Sequence, residues 1–335
     1  MPLCAEEPRG LAAIDHLLPL PKAQLARRLV ATGREPTAAE FDRAGLTLAA
    51  AEREALARWF EGGLETRVRE RFRAADGTVK LRLALRDDRE VETVAMPIGA
   101  VCVSTQVGCA VGCRFCASGL FGVERNLTVD EIVEQVVHAR ALMRIDRVVF
   151  MGMGEPSHNL EAVLGAVQRI KHEALISPRR QTLSTVGAVK VFERMAAAPV
   201  RPCLALSLHL ADDTRRRELL PRAHKDDLAD IVAAADAYGR AIRTPVQFEY
   251  TLLAGVNDGD DDVEALCELL RGVRGYVNFI VYNPVAGLPF AAPSRERIVE
   301  IVRRVKRRDI LATIRDSSGI DAQAACGQLR LTAPR

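Results

Sequence analysis

No stretch of the 335 residues reaches the ~18 unbroken apolar residues that a membrane-spanning helix needs, which speaks against an integral membrane protein. The opening MPLCAEEPRG carries two glutamates and no basic leader, so it does not read as a secretion signal. A strong charge of one sign is also missing: 47 basic against 44 acidic residues leave a net +3. That balance tolerates an RNA partner without demanding one. Aromatic residues make up only 4%, and Trp59 is the single tryptophan. There is no internal repeat and no low-complexity tract. With 48% hydrophobic and 27% charged residues, a mainly disordered or collagen-like chain is excluded. These features point to a cytoplasmic protein. Its eight cysteines should be reduced there, so a tight cysteine cluster suggests metal binding or catalysis rather than disulfides.

Three regions differ in periodicity. Residues 1–65 carry apolar residues at three- and four-residue spacing and read as a helical accessory domain. Residues 66–97 switch to period two, with Asp76-Gly77 between alternating runs, and read as a small β-meander. Arg67, Arg69, Arg71 and Arg73 share one strand face, and Lys80 and Arg82 share a face of the next. Such faces are either solvated or a platform for phosphates. Residues 98–335 alternate strand, loop and helix. Strands are expected at 101–107, 147–153, 181–186, 203–210, 246–253, 277–283 and 310–315. Short apolar strands between amphipathic helices indicate an α/β fold with a parallel sheet. Six strand–helix units plus a last strand suit a partial (β/α)6 barrel, whose chemistry sits at the C-terminal strand ends.

The most specific feature is CAVGCRFC, in which Cys109, Cys113 and Cys116 have the spacing C-x3-C-x2-C. Gly108 and Gly112 permit the tight turns that aim three thiolates at one place. Three thiolates do not close a four-coordinate structural zinc site. On a [4Fe–4S] cluster they leave one iron open to a ligand. Zinc and unreactive buried cysteines remain the competing readings.

This cysteine motif, with Phe115 before its last cysteine, resembles the signature of radical S-adenosylmethionine (SAM) enzymes, whose fold is a partial (β/α)6 barrel. CVSTQVGCAVGCRFCASG, RNLTVDEIVEQV, FMGMGEP, TLSTVG, LALSLH, YTLLAGVND, YNPV and DAQAACGQL, in this order, resemble the RlmN/Cfr family of RNA methyltransferases. The likeness runs from about Glu92 to Leu329. It implies a [4Fe–4S] cluster on Cys109, Cys113 and Cys116, and SAM, two molecules per turnover. Gly154, Glu155, Ser184, Ser207, Leu208, His209 and Asn283 match the family's SAM-binding positions. Cys326 matches the cysteine that carries a methyl group, Cys102 the thiol that resolves the covalent intermediate through a transient disulfide with Cys326, and Glu92 the proton acceptor.

The chemistry explains why two thiols are needed. An adenine ring carbon at C2 or C8 is electrophilic and cannot attack SAM's methyl group. A methyl parked on sulfur can lose a hydrogen atom to a 5′-deoxyadenosyl radical, and the resulting carbon radical can add to the ring. A second thiol then frees the adduct. Cys4, Cys203 and Cys267 match no motif. The resemblance implies adenine methylation, at C2 in the first instance and C8 as the near alternative, in 23S rRNA with tRNA as a further class. It also implies a flavodoxin-like electron donor. A monomer is the default expectation. The more distant alternatives are a radical SAM enzyme without methyl transfer and a zinc-stabilised RNA-binding module.

The basic runs SPRRQ, TRRRELLPRAHK and RRVKRR (303–308) are either solvated helix faces or phosphate contacts. Two departures from the family stand out. PIGAVC (97–102) is a shorter loop, and the N-terminal region lacks the family's aromatic-rich motif.

Overall fold

The computed structural model describes residues 9–33, 38–45, 47–60, 62–315 and 317–329. Cys4 lies outside them. Four helices open the chain: α1 (Ile14–Leu17), α2 (Leu20–Val30), α3 (Ala38–Arg43) and α4 (Ala50–Phe60). Their apolar positions, among them Ile14, Ala23, Ala26, Leu56 and Trp59, are buried in the same core as the barrel, as is Leu11 just ahead of α1. They are therefore packed onto the barrel rather than strung beside it.

Next comes an antiparallel meander of β1 (Thr66–Arg73), β2 (Val79–Leu85) and β3 (Glu90–Met96). It does not stop at β3. Strand β3 pairs with β4 (Ala100–Cys102), so the meander continues the barrel sheet. A two-stranded side sheet, β5 (Gln106–Gly108) and β6 (Val123–Asn126), brackets the cysteine loop and leads into α5 (Val129–Arg140). Helix α5 starts with a reciprocal Thr128–Glu131 capping box. Then follow β7 (Arg147–Phe150), α6 (Leu160–His172), β8 (Gln181–Thr185), α7 (Val189–Ala197), β9 (Cys203–Ser207), α8 (Asp213–Leu219), α9 (Leu228–Ala241), β10 (Val246–Leu252), α10 (Asp260–Leu269), β11 (Gly275–Val281), α11 (Arg295–Arg307) and β12 (Leu311–Arg315).

Among the described residues, one ten-stranded sheet has the order β1-β2-β3-β4-β7-β8-β9-β10-β11-β12. From β4 onward every pairing is parallel. This is the expected partial (β/α)6 barrel with an extra final strand. Its central strands are apolar on both sides because helices cover one face and the barrel interior the other.

Two expectations change, and one open alternative is resolved. The strand foreseen at 101–107 breaks after Cys102. Residues 103–105 instead donate to and accept from the chain around Met153, and Gln106 begins the side sheet. Lys80 is not on a solvated face: it is 1% exposed and ion-paired with Glu92. The run 303–308 closes α11, which leads back to the start of β12, so it lies at the barrel end away from the strand C-termini. There Arg304 pairs with Asp260 and Arg308 with Glu264, as expected of a solvated helix face. Arg67, Arg69, Arg71 and Arg73 are exposed as expected, although a bulge interrupts β1 between Val68 and Glu70.

Candidate active site

The C-terminal ends of the parallel strands open onto a cleft. Ten of the thirteen candidate site residues line it: Cys109, Cys113, Cys116, Gly154, Glu155, Ser184, Ser207, His209, Asn283 and Cys326. They come from the loops and strand ends after β5, β7, β8, β9 and β11 and from the C-terminal segment. No short sequence window contains them all, so the fold itself assembles them.

The loop holding the three cysteines is shaped from both sides. Cys109 donates its amide to the Gly122 carbonyl (2.8 Å), and Cys116 donates to Cys113 (3.1 Å). Gly108 and Gly112 have φ of 77° and 67°, where a side chain would be strained. A Cβ on Gly108 would also stand 2.1 Å from the Gly122 carbonyl oxygen. Burial pushes the Cys109 thiol up to about 12, with Cys116 adding to it. Cys113 is raised by burial and by both other cysteines, and Cys116 by burial first. The three sulfurs are thus close enough to repel as thiolates. Yet among the described residues no three His, Cys, Asp or Glu groups converge to hold one metal ion. Three thiols do not close a four-coordinate zinc site, and in apolar surroundings with Phe115 and Val111 they fit a [4Fe–4S] cluster. Coordination would deprotonate these thiols, overriding the burial penalty.

Glu155 lies at the end of the loop after β7. Its Oε1 accepts from the Ser157 amide (3.0 Å) and the Thr185 hydroxyl (2.5 Å), and its Oε2 from the Val186 amide (3.1 Å). Glu155 thereby ties this loop to the end of β8 and keeps one acceptor position for a bound ammonium group. Gly154 is at φ 103°, and a Cβ there would come within 2.6 Å of the Gln106 amide nitrogen. Ser184 and Ser207, on adjacent strands, bring their hydroxyls to 3.2 Å.

His209 has φ 60° and is buried, with its ring edge-on to Phe115. Its Nδ1 accepts from the Thr251 amide (3.1 Å), which places the proton of the neutral ring on Nε2. Burial, and secondarily Arg216, lowers its pKa to about 3, so His209 stays neutral at physiological pH and offers a neutral donor. Leu208 does not line the cleft: its side chain is wholly in the core, its amide donates to the Glu249 carbonyl and its carbonyl accepts from Arg216.

Cys326 is brought in by the C-terminal segment. Asn283 donates to the Cys326 carbonyl (3.1 Å), Ala117 to the Gly327 carbonyl (2.8 Å) and Ser118 to the Leu329 carbonyl (2.7 Å). The segment is thus laid along the cysteine loop. At its other end the meander holds it: the Gly319 amide donates to Asp76 and the Lys80 ammonium to the Gln323 carbonyl. Cys102 and Glu92 lie behind the cleft lining. Their β3–β4 register sets Val94 opposite Cys102, so Glu92, two residues earlier, shares that sheet face. Glu92 is 0% exposed and 2.9 Å from the Lys80 ammonium. Burial, then Cys326, pushes the Cys102 thiol up to about 12, with Arg315 opposing. Cys102 and Cys326 are both free thiols.

Three site residues escaped the sequence reading. Arg315 and Glu249 line the cleft beside Cys326. The Arg315 pKa is raised by Cys326 first, then by Glu249 and Cys102, against burial. Arg216, read as part of a basic run, is buried and donates to the carbonyls of Val186, Ser207 and Leu208, tying β8 to β9. The available signal was a lone charge inside an apolar strand (VQFEYTLL, ILATIR) or just before an apolar pair (RRRELL).

A parallel partial barrel with a three-cysteine loop at its mouth defines a radical SAM protein. The model of the Radical SAM superfamily matches residues 103–270. A crystal structure of a radical SAM methyltransferase from Sphaerobacter thermophilus superposes with a TM-score of 0.84 at 36% identity, covering 97% of this chain and 99% of that one. A curated protein of Leptothrix cholodnii named "Probable RNA methyltransferase" is 46% identical over 264 residues, 79% of this chain and 76% of that protein. One of the same name from Pseudomonas aeruginosa is 43% identical over 291 residues, 87% and 82% of the two chains. The chain belongs to the radical SAM superfamily and, within it, to the family of these RNA methyltransferases. Among the described residues no helix is long and apolar enough to cross a membrane.

Proposed function

We propose that the protein is a cytoplasmic, monomeric enzyme that methylates C2 of an adenine in 23S rRNA, and in tRNA as a further class, through a methylated Cys326. The observation that carries this reading is the seating of Cys326 in the cleft of the three cluster cysteines, with a second thiol, Cys102, behind it. A radical SAM enzyme without methyl transfer needs neither thiol.

Cys109, Cys113 and Cys116 would hold a [4Fe–4S] cluster, which supplies one electron to cleave SAM into methionine and a 5′-deoxyadenosyl radical. A flavodoxin-like carrier is the source of that electron. Gly154, Glu155, Ser184, Ser207, Leu208, His209 and Asn283 bind SAM: Glu155 takes the ammonium group, the serines and neutral His209 the ribose and carboxylate, and Leu208 acts only through the backbone. Cys326 would take the methyl group of a first SAM on its sulfur, and that methyl group would give up a hydrogen atom to the radical made from a second. The resulting carbon radical would add to adenine C2; the adduct would return one electron to the cluster that supplied it, and Glu92 would take the ring proton.

Formation of the Cys102–Cys326 disulfide breaks the remaining S–C bond and leaves its electron pair on the product carbon, which takes the proton that Cys102 gives up. Because burial keeps the Cys102 thiol protonated, this step needs a cation beside the developing thiolate, and Arg315, against both sulfurs, meets that need. The exposed arginines of β1 and the N-terminal helices form the RNA-facing side. The reading is tested by digesting rRNA modified by the purified enzyme. 2-Methyladenosine supports it, and 8-methyladenosine moves the reaction to C8. An unmodified digest, from enzyme that cleaves SAM, rejects it.

A further inference from the structure

The cysteine loop has an outer face that the reaction above does not use. Immediately after Cys116 the chain exposes Leu120, Phe121 and Val123, and Phe121 is 88% exposed. Apolar side chains this exposed in a row mark a contact surface. A basic loop borders them. Arg222 donates its amide to the Val111 carbonyl (3.1 Å), and its guanidinium lies over both loop glycines: Cβ atoms on Gly112 and Gly122 would stand 3.9 Å and 3.8 Å from it. Arg114, between the second and third cysteines, is exposed and anchored by its amide to the Leu219 carbonyl (3.0 Å). Among the described residues no ion pair joins Arg114, Arg222 or Lys225 to a carboxylate, whereas Arg215 and Arg217 on the neighbouring α8 pair with Asp262 and Asp213.

We propose that this face, centred on Phe121 and Arg222, is the docking surface for a small acidic one-electron carrier protein. The inference rests on the requirement for an electron stated above. An apolar centre with a cationic rim is the anatomy of a protein–protein contact; an RNA base stacked on Phe121 is the competing occupant, which the rRNA arm of the test separates. The face is made of the cysteine loop itself, so a carrier seated there is close to the three cysteines. Leu120 donates its amide to the Ala117 carbonyl, and the Ala117 amide donates to Gly327, so the face begins one turn beyond the contact with the C-terminal segment. One electron leaves the reduced carrier, which is oxidised by one, and ends in the cleavage of SAM; no other co-reactant is needed. The unpaired arginines also steer an acidic partner, so association should weaken with salt.

The test uses the intact, cluster-loaded protein and a variant combining Phe121→Asp with Arg222→Glu. Both positions are exposed, so the core is untouched. Calorimetric titration with flavodoxin is the first readout. We expect the variant to lose about tenfold or more in affinity, and the unaltered protein to lose affinity with rising salt. SAM cleavage driven by flavodoxin should fall in parallel, while cleavage driven by dithionite and affinity for rRNA fragments stay unchanged. Arg222→Lys alone should retain binding. Equal flavodoxin affinity in both proteins overturns the proposal, as does absence of binding to the unaltered one. A loss confined to RNA affinity assigns the face to RNA and overturns it too. No SAM cleavage with dithionite in the unaltered protein would instead defeat the enzymatic reading, while the titration still reports on the surface.

Discussion

Lys80 and Glu92 form an ion pair with almost no contact with water, at 1% and 0% exposure. Replacing Lys80 by Met keeps the stem and removes the charge, so Glu92 is left buried without its cation. Breaking such a pair from one side costs about 3–5 kcal/mol. The ammonium also sits 5.1 Å from the Phe72 ring centre and donates to the Gln323 carbonyl, which adds about 0.5–1 kcal/mol. At roughly 2 cal/mol/K per residue, unfolding this chain carries an entropy of about 0.7 kcal/mol/K, so Lys80→Met should lower Tm by about 5–8 °C. The assay is thermal unfolding of the variant, of Glu92→Gln, and of the two combined. The double variant should recover much of the loss, because two neutral groups of similar shape replace the pair. Hydrogen exchange should also rise in 319–326, since Lys80 is one of the pins on the segment that carries Cys326. A Tm drop under 2 °C, the scale of a surface pair, would refute the reasoning.

Gly154→Ala forces a Cβ against the Gln106 backbone at a φ that side chains rarely adopt, costing about 1–3 kcal/mol. Equilibrium dialysis should show SAM affinity falling at least fivefold with little change in cluster content. Glu134 accepts from the Glu65 and Thr66 amides, and burial raises its carboxyl to about 8. The folded protein therefore holds a proton that the unfolded chain releases above the usual 4.5. The stability this proton confers is complete below about pH 4.5 and is lost as pH rises through 8. Glu134→Gln should flatten that decline in denaturant titrations and be relatively more stable at pH 8 than at pH 5. His138, lowered to about 4 by burial, contributes the opposite slope: its share of stability is lost as pH falls from about 6.5 to 4, and His138→Asn should remove that acid limb.

Strand positions and barrel class were legible because apolar runs such as VNFIVYN and CLALSLHL alternate with helical periods. The cysteine loop was legible because three close cysteines and two glycines carry a specific geometric demand. What periodicity could not show was which charge finds a partner across space. Lys80 and Arg82 alternate as solvent-facing residues do, yet the C-terminal segment, some 240 residues on, covers Lys80 and turns it inward. Arg216 sits between two arginines that are exposed, and only the carbonyls at the ends of β8 and β9 explain why it is not. Residues 101–107 look like one strand because 103–105 are apolar or small; their backbone partners are Val149 in β7, Gly152 and Met153 after it, and Leu127 before α5, a long-range fact.

The central claim is that Cys326 carries the methyl group, and peptide mass spectrometry tests it most directly. The protein would be purified with its cluster intact and supplied with SAM, and the peptide containing Cys326 examined. The account predicts one methyl group on Cys326 and none on Cys102. An unmodified Cys326 in protein that binds SAM and holds its cluster would contradict it.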